Sequence, residues 1–138
     1  MLSIASRTAM FKSRREQWPE ARDFIDAFCE GAQVPRERCL TTRLILEKLF
    51  LATVKYGQRG GSDAPIWITL SAEDGKVTFT YEDRAPPFNP FPRERDSSRT
   101  NGDPRTESVL NVLQTHGLTA SADYTYLFGR NRVQLTLD

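Results

Sequence analysis

The sequence predicts an α+β fold, a two-layer sandwich in which helices pack on one face of a mostly antiparallel, mixed sheet. The first observation is length, because 138 residues can bury one core without disulfides or metals. The second is order: segments of helical and strand period follow one another as strand, two helices, hairpin, long loop, helix and hairpin. Such segregated runs are typical of α+β domains. With no internal repeat or linker between cores, residues 1–138 are expected to form a single domain.

The first half of the chain predicts an edge strand followed by two helices. Around Ile4, apolar and small polar residues alternate, as they do in a strand. Apolar residues then recur at helical spacing from residue 18 to residue 28, and Gly31 ends this helix. The second helix is predicted to begin at or just after Pro35 and to run to Tyr56, because proline suits a first turn and Gly57 opens a glycine-rich segment.

The second half predicts two hairpins separated by a long loop and a short helix. Residues 65–84 contain two period-two runs joined by Asp74-Gly75, and the last 17 or so residues form a similar pair around residues 129–131. Proline, charged and small polar residues dominate between them, which predicts a mobile loop over about residues 86–105. Residues 106–117 are expected to form a helix, with Thr106 as its cap and Gly117 as its stop.

Composition excludes several functions. The 19 basic and 18 acidic residues nearly cancel, so no net charge draws the chain to nucleic acid or to an anionic membrane. No apolar run approaches the roughly 20 residues of a membrane helix, and the start lacks a signal-peptide core, so a cytoplasmic location is expected. Cys29 and Cys39 have no other cysteine or histidine at metal-ligand spacing and are interpreted as reduced, partly buried thiols.

Three stretches carry a family resemblance. LTTRLILEKLFLATVKYG is followed by VTFTYEDRAPPFNP, and GRNRVQLTL closes the chain. This sequence resembles the anti-sigma-factor serine kinases of bacteria, a branch of the GHKL ATPases that share the Bergerat nucleotide-binding fold with histidine kinases. VKYG matches the end of the family's catalytic helix, and PPFNP at residues 86–90 matches the tail after its second motif. The resemblance implies a histidine-kinase-like ATPase domain and a protein serine/threonine kinase activity that uses ATP with Mg²⁺.

The catalytic helix departs from that family. The resemblance implies a glutamate that acts as general base and, four residues later, an asparagine that holds Mg²⁺. Counting back from VKYG, Lys48 stands at the base position and Ala52 at the metal position. A lysine with a reference pKa of about 10.4 cannot accept that proton at neutral pH, and alanine has no oxygen for a metal. Glu47 is rotated from this edge by about 100° and is interpreted as a paired or helix-flanking carboxylate. No catalytic residue and no metal ligand are therefore predicted.

The other two motifs are also altered. Asp83 stands where the family's carboxylate binds the adenine amino group, although a carboxylate at a strand end is also commonly solvated. Ala85 replaces a glycine, adding a methyl group and disfavouring a positive φ. The family's glycine-rich phosphate cradle is reduced to Gly102, and Pro104 removes an amide. Lys48, Ala52, Asp83 and Ala85 thus form a degenerate cofactor site, so no cofactor is expected, with ATP and Mg²⁺ as the alternative if the site is retained.

The sequence therefore predicts an anti-sigma-like regulator that acts by protein binding, a pseudo-kinase. The resemblance implies a sigma factor or a STAS-domain anti-sigma antagonist as partner, and a homodimer is allowed. We expect partner-binding residues in the long loop, where aromatic and cationic residues lie among prolines, although an ordinary solvated loop is equally consistent. These residues are Phe88, Phe91, Arg93 and Arg95.

Two alternatives remain. One is an ATP-binding serine/threonine kinase with an altered nucleotide site. The other is a nucleic-acid-linked component of a larger assembly, which the balanced charge disfavours. No direct nucleic-acid or membrane contact is predicted. A basic edge of the second helix, formed by Lys48, Lys55 and Arg59, could receive an anion or could be a solvated face.

Overall fold

The computed structural model describes residues 4–90 and 120–137. In chain order its elements are β1 (Ile4–Lys12), α1 (Trp18–Gly31), α2 (Arg36–Ala52), β2 (Pro65–Glu73), β3 (Lys76–Asp83), β4 (Ala120–Leu127) and β5 (Arg130–Leu137). A short 3-10 turn, Arg15–Gln17, leads into α1, and a π-helical turn, Thr53–Gly57, continues α2.

The five strands form one sheet in the order β1-β2-β3-β5-β4. All four pairings between neighbours in the described ranges are antiparallel. This confirms the predicted α+β class, and β1 lies at the sheet edge as its alternating pattern indicated. Both hairpins are present, one joining β2 to β3 and the other joining β4 to β5.

The core lies between the two helices and one face of the sheet. Alternate residues of β2, β3 and β5 are buried while their neighbours are more exposed, as expected when one face of an antiparallel sheet is covered. Phe50 of α2 is fully buried, and its ring centroid lies 5.6 Å from that of Trp18 and 6.4 Å from that of Phe11. These aromatic contacts join both helices to β1 and fix α2 over the sheet.

The second helix ends in a widened turn. The amide of Gln58 donates to the carbonyl of Thr53 at 2.8 Å, a hydrogen bond with the five-residue spacing of a π-helix. The helix therefore reaches the predicted end near Tyr56, but its last turn is not α-helical. This turn directs Thr53 and Gly57 toward the end of β3, as the contacts described below show.

The closing turn, Phe128–Gly129, begins one residue earlier than predicted and is shorter. Phe128 and Gly129 both have a positive φ, of 54° and 75°, which is the conformation of a two-residue turn matched to the sheet twist. Arg130 and Asn131, predicted to lie in the turn, belong to β5 instead. Gly129 is needed at the second turn position because it adopts a positive φ without steric cost, and Asn131 is left among the buried residues of the strand.

Several predicted features lie outside the described residues. These are the greater part of the long loop from residue 91 onward, the helix at residues 106–117, and the altered phosphate cradle with Gly102 and Pro104. Cys29 is buried and Cys39 is half-buried, and both are free thiols. Within the described ranges, no helix is both long and apolar enough to cross a membrane.

Candidate functional site

A small cavity lies where the end of α2 meets the ends of β3 and β5. Lys48 and Ala52 line it from the helix, and Asp83 and Ala85 line it from β3 and the following loop. The fold thus brings together all four residues of the predicted degenerate cofactor site. The cavity volume is about 40 Å³, which is room for about three water molecules at roughly 10–15 Å³ each. The remaining lining residues are Leu49, Thr53, Gly57, Tyr81, Pro86, Phe88, Pro90, Asn131 and Val133.

Asp83 is a buried carboxylate that is held by three hydrogen-bond donors. It is only 6% exposed, so it is not the solvated strand end that its sequence position also allowed. Its Oδ1 accepts from the amide of Ala85 at 3.1 Å and from Nδ2 of Asn131 at 2.9 Å, and its Oδ2 accepts from the hydroxyl of Thr53 at 2.7 Å. These donors compensate the cost of removing the carboxylate from water.

Thr53 and Tyr81 form a hydroxyl pair beside this carboxylate. Oγ1 of Thr53 lies 2.5 Å from the hydroxyl oxygen of Tyr81, which also lies 3.1 Å from the carbonyl of Leu49. Thr53 has a single hydroxyl proton, so when it donates to Asp83 it accepts from Tyr81. Burial, and then the negative charge of Asp83, raise the pKa of Tyr81 well above its usual value. Tyr81 therefore remains a neutral donor.

Asn131 fastens the loop after β3 to β5. Its Nδ2 contacts the carbonyl oxygens of Ala85 at 2.9 Å and Pro86 at 3.1 Å, in addition to Asp83. Its Oδ1 accepts from the amide of Phe88 at 3.0 Å and from the hydroxyl of Tyr124 at 2.5 Å. One side chain thus joins two strands and the first residues of the predicted long loop. The backbone of Ala85, Pro86 and Phe88 is consequently attached to β5 by hydrogen bonds.

Ala85 and Gly57 meet at the edge of the cavity. A β-carbon built on Gly57 would lie 2.6 Å from the β-carbon of Ala85, which is closer than real side chains approach. Ala85 is buried and is not among the described residues with a positive φ. The expected backbone penalty is therefore absent, and the effect of alanine here is the space that its methyl group occupies.

Lys48 and Ala52 line the cavity from one edge of α2. Lys48 is exposed and Ala52 is half-buried. Glu47 is half-buried and is not among the lining residues, consistent with its predicted rotation away from this edge. Lys55, predicted on the same basic edge, lies with Arg15 at a separate hollow. No cluster of three or more metal-ligating His, Cys, Asp or Glu residues occurs in the described ranges.

The sequence model of the histidine kinase-like ATPase domain matches residues 11–136. The chain belongs to this family. The match extends from the last residues of β1 to the last residues of β5 and therefore includes every residue of the cavity. A comparison with curated proteins finds no match.

In this histidine kinase-like ATPase domain, the predicted partner-binding residues are only partly described. Phe88 is half-buried and lines the cavity, where its amide is held by Asn131. Phe91, Arg93 and Arg95 lie outside the described residues. A role for these four residues in partner binding stays a prediction.

Four polar residues of the site in this domain were not predicted from the sequence, namely Thr53, Tyr81, Tyr124 and Asn131. A signal for Asn131 was present, because it shares the strand phase of the buried residues Val133 and Leu135. A polar residue within an apolar strand phase indicates a buried hydrogen-bonding role. Thr53 gave no comparable signal, because its orientation depends on the π-helical turn.

Proposed function

We propose that this histidine kinase-like ATPase domain is an anti-sigma-factor-like regulator that acts by binding a protein partner and does not transfer phosphate. The observation that carries the proposal is the pair Lys48 and Ala52 on the cavity edge of α2. A lysine side chain does not supply the carboxylate that acts as general base in the family resembled, and a methyl group cannot bind Mg²⁺. The proposed partners are those that the family resemblance implies, a sigma factor or a STAS-domain antagonist.

The state of Asp83 also supports the proposal. A carboxylate offers about four acceptor positions, and three of those of Asp83 receive protein donors. An adenine amino group would have to use the position left on Oδ2 or displace Thr53 or Asn131. The methyl group of Ala85 further narrows the space beside Gly57. The hydrogen bonds of Asp83 thus stabilise the fold and leave little room for a nucleotide in the cavity.

The expected loss of nucleotide affinity is large. The missing metal ligand, the methyl group at Ala85 and the missing glycine cradle each remove about 1–3 kcal/mol as a lost hydrogen bond or a clash. Since every 1.4 kcal/mol is about a tenfold change, even partial additivity weakens micromolar binding to roughly millimolar. The purified protein is therefore expected to carry no nucleotide.

The second candidate function is an ATP-binding protein serine/threonine kinase with an altered site. Asp83 favours it, because its carboxylate lines the cavity and keeps one acceptor position on Oδ2 that receives none of the three donors. Lys48 adds a cation at the cavity rim that could contact a phosphate. In this candidate the cavity would open when a nucleotide enters.

One titration separates the two candidates. The melting temperature of the wild-type protein is measured with and without about 1 mM ATP and Mg²⁺, beside an Asp83→Asn variant. A ligand below its dissociation constant gives almost no stabilisation, so we expect no shift. An increase of several degrees that Asp83→Asn abolishes would favour the second candidate.

A phosphotransfer assay and a binding assay complete the test. Wild-type protein is incubated with radiolabelled ATP, Mg²⁺ and STAS-domain proteins of the native host, and the same proteins and the host sigma factors are tested for binding by calorimetry. We expect binding to at least one of them and no labelled product. Phosphorylation of a STAS-domain protein by the wild-type chain would overturn the pseudo-kinase assignment, and absence of binding to all of them would overturn the proposed partner class.

A further inference from the structure

The sheet face opposite the helices carries a tryptophan next to two arginines. Trp67 of β2 pairs directly with Met10 of β1 and with Glu82 of β3, so the three side chains share one face. The flanking residues of β2, Ile66 and Ile68, are fully buried in the core on the other face. Trp67 therefore points away from α1 and α2.

Both arginines lie against the indole. The guanidinium carbon of Arg130 is 3.7 Å from the Trp67 ring centroid, and that of Arg84 is 5.7 Å from it. Nη1 of Arg130 also lies 3.4 Å from Oε2 of Glu82. A guanidinium stacked on an aromatic face keeps its N–H edge directed sideways, which suits paired hydrogen bonds to a carboxylate. Stacking also holds the guanidinium in place before a ligand arrives.

Exposed apolar side chains continue this region across the sheet. Met10, beside Trp67, is 64% exposed, and Leu127, which pairs with Arg130, is 58% exposed. Phe128 in the adjoining turn is 99% exposed. Single exposed apolar residues are ordinary on protein surfaces, but these lie next to the residues of an aromatic and arginine cluster. Tryptophan and arginine are the residue types that most often dominate protein interfaces.

We propose that this region, the Trp67 surface, is a docking site for an acidic, partly apolar segment of a partner protein. It comprises Met10, Trp67, Glu82, Arg84, Leu127 and Arg130. The inference rests on the proposed function, in that the chain acts through protein binding, and it adds where the partner docks and with what chemistry. Carboxylates of the partner contact the two arginines, and its apolar side chains cover Met10 and Leu127.

The positive charge of the Trp67 surface favours an acidic protein segment as its occupant. Among the described residues, Arg84 and Arg130, with the neighbouring exposed Lys12 and Arg132, outnumber the carboxylates of Glu82 and Asp123 on this face. A second copy that packed face to face about a two-fold axis would place these cations against one another. A nucleic acid is disfavoured because Arg130 already covers the indole face at 3.7 Å and leaves it unable to stack on a base.

The test uses a synthetic peptide of about 12 residues that alternates Glu or Asp with Leu or Phe. A peptide with Lys at every acidic position is the matched control, and an oligothymidylate of about 12 nucleotides represents nucleic acid. Binding to the wild-type protein is measured by calorimetry, which needs no substitution. In a Trp18→Phe background, emission from Trp67, then the sole tryptophan, reports binding at the surface itself.

Paired charge reversals locate the contact. The Arg84→Glu/Arg130→Glu variant is expected to bind the acidic peptide at least about tenfold more weakly than wild type and the lysine peptide more tightly. Arg22→Glu/Arg36→Glu is the control, because it makes the same charge change on the helices, and it is expected to change affinity less than about twofold. Equal loss in both variants would mean that net charge alone attracts the peptide, and would overturn the proposal.

The remaining outcomes are also decisive. Absence of acidic-peptide binding at about 1 mM, or preference of the wild-type protein for the lysine peptide or the oligonucleotide, overturns the inference. The sigma-factor and STAS-domain proteins are tested against the same two double variants. If they bind the wild-type protein and the Arg84→Glu/Arg130→Glu variant equally, the proposed function stands, but the assignment of docking to the Trp67 surface is wrong. If none of them binds while the acidic peptide does, the proposed partner class fails and the surface stands.

Discussion

Nδ2 of Asn131 lies 2.9 Å from Oδ1 of Asp83, directly across the pairing of β5 with β3. Both residues are 6% exposed, so this contact joins the two central strands at a buried polar position. Asn131 also holds the loop after β3 and the hydroxyl of Tyr124. The stability of this end of the domain thus depends strongly on one amide side chain.

Asn131→Ala is expected to lower the free energy of unfolding by about 2–4 kcal/mol, because it leaves a buried carboxylate and two loop carbonyls with fewer donors. Urea denaturation of the variant beside wild type measures this. Gln134→Ala, at an exposed position of the same strand, is the control and should cost less than about 0.5 kcal/mol. Equal effects of the two substitutions would contradict the role assigned to Asn131.

Thr53→Val should cost about 1–3 kcal/mol, since the side chain keeps its shape but no longer donates to Asp83 or accepts from Tyr81. Thr53→Ser keeps the hydroxyl and should retain more of the stability than Thr53→Val. Thr78→Val is the matched control, because the hydroxyl of Thr78 bonds to that of Thr136 on the more exposed face. Thermal unfolding of the three variants checks the ranking, and a Thr78→Val cost as large as that of Thr53→Val would refute it.

The raised pKa of Tyr81 predicts a loss of stability at alkaline pH. Below about pH 10 the tyrosine is neutral in both folded and unfolded states. As pH rises above 10 the unfolded chain releases the proton while buried Tyr81 retains it, so the free energy of unfolding falls by up to about 1.4 kcal/mol per pH unit. Tyr81→Phe should be less stable than wild type at pH 7 but show a shallower decline above pH 10. Burial also raises the pKa of Tyr124. Tyr124 therefore accounts for part of the decline in stability above pH 10 that remains in Tyr81→Phe.

Urea titrations between pH 7 and pH 11 measure these slopes. Tyr56→Phe is the control for loss of a tyrosine hydroxyl at an exposed position, because Tyr56 is 41% exposed. A Tyr81→Phe variant with an unchanged slope above pH 10 would show that Tyr81 does not govern the alkaline loss.

The sequence predicted the fold well where periodicity decided it, and the site only where single residues carried chemistry. The two hairpins followed from strand alternation with glycine turns, whereas the grouping of Lys48, Ala52, Asp83 and Ala85 was implied by the family resemblance and not by periodicity. The π-helical turn could not be predicted, because no apolar spacing or glycine in the sequence of Thr53–Gly57 distinguishes it from a last α-helical turn. The hydrogen bonds of Asn131 join residues more than 40 positions apart, which no sequence window contains.

Restoring catalytic groups should require more than one substitution. Lys48→Glu alone is expected to give no ATP hydrolysis or phosphotransfer, because Ala52 still offers no metal ligand. Lys48→Glu/Ala52→Asn supplies both groups, and adding Ala85→Gly removes the methyl group beside Gly57. We expect Mg²⁺-dependent ATP binding to rise in that order, as measured by calorimetry. Activity of the single Lys48→Glu variant would show that the metal is held by other groups.

Gly57 and Ala85 lie so close together that a side chain at one position would occupy the space of a side chain at the other. Only one of them can carry a methyl group, because a second β-carbon would approach the first to 2.6 Å. The end of α2 and the loop after β3 therefore cannot diverge independently, because a substitution that enlarges one restricts which residues the other accepts.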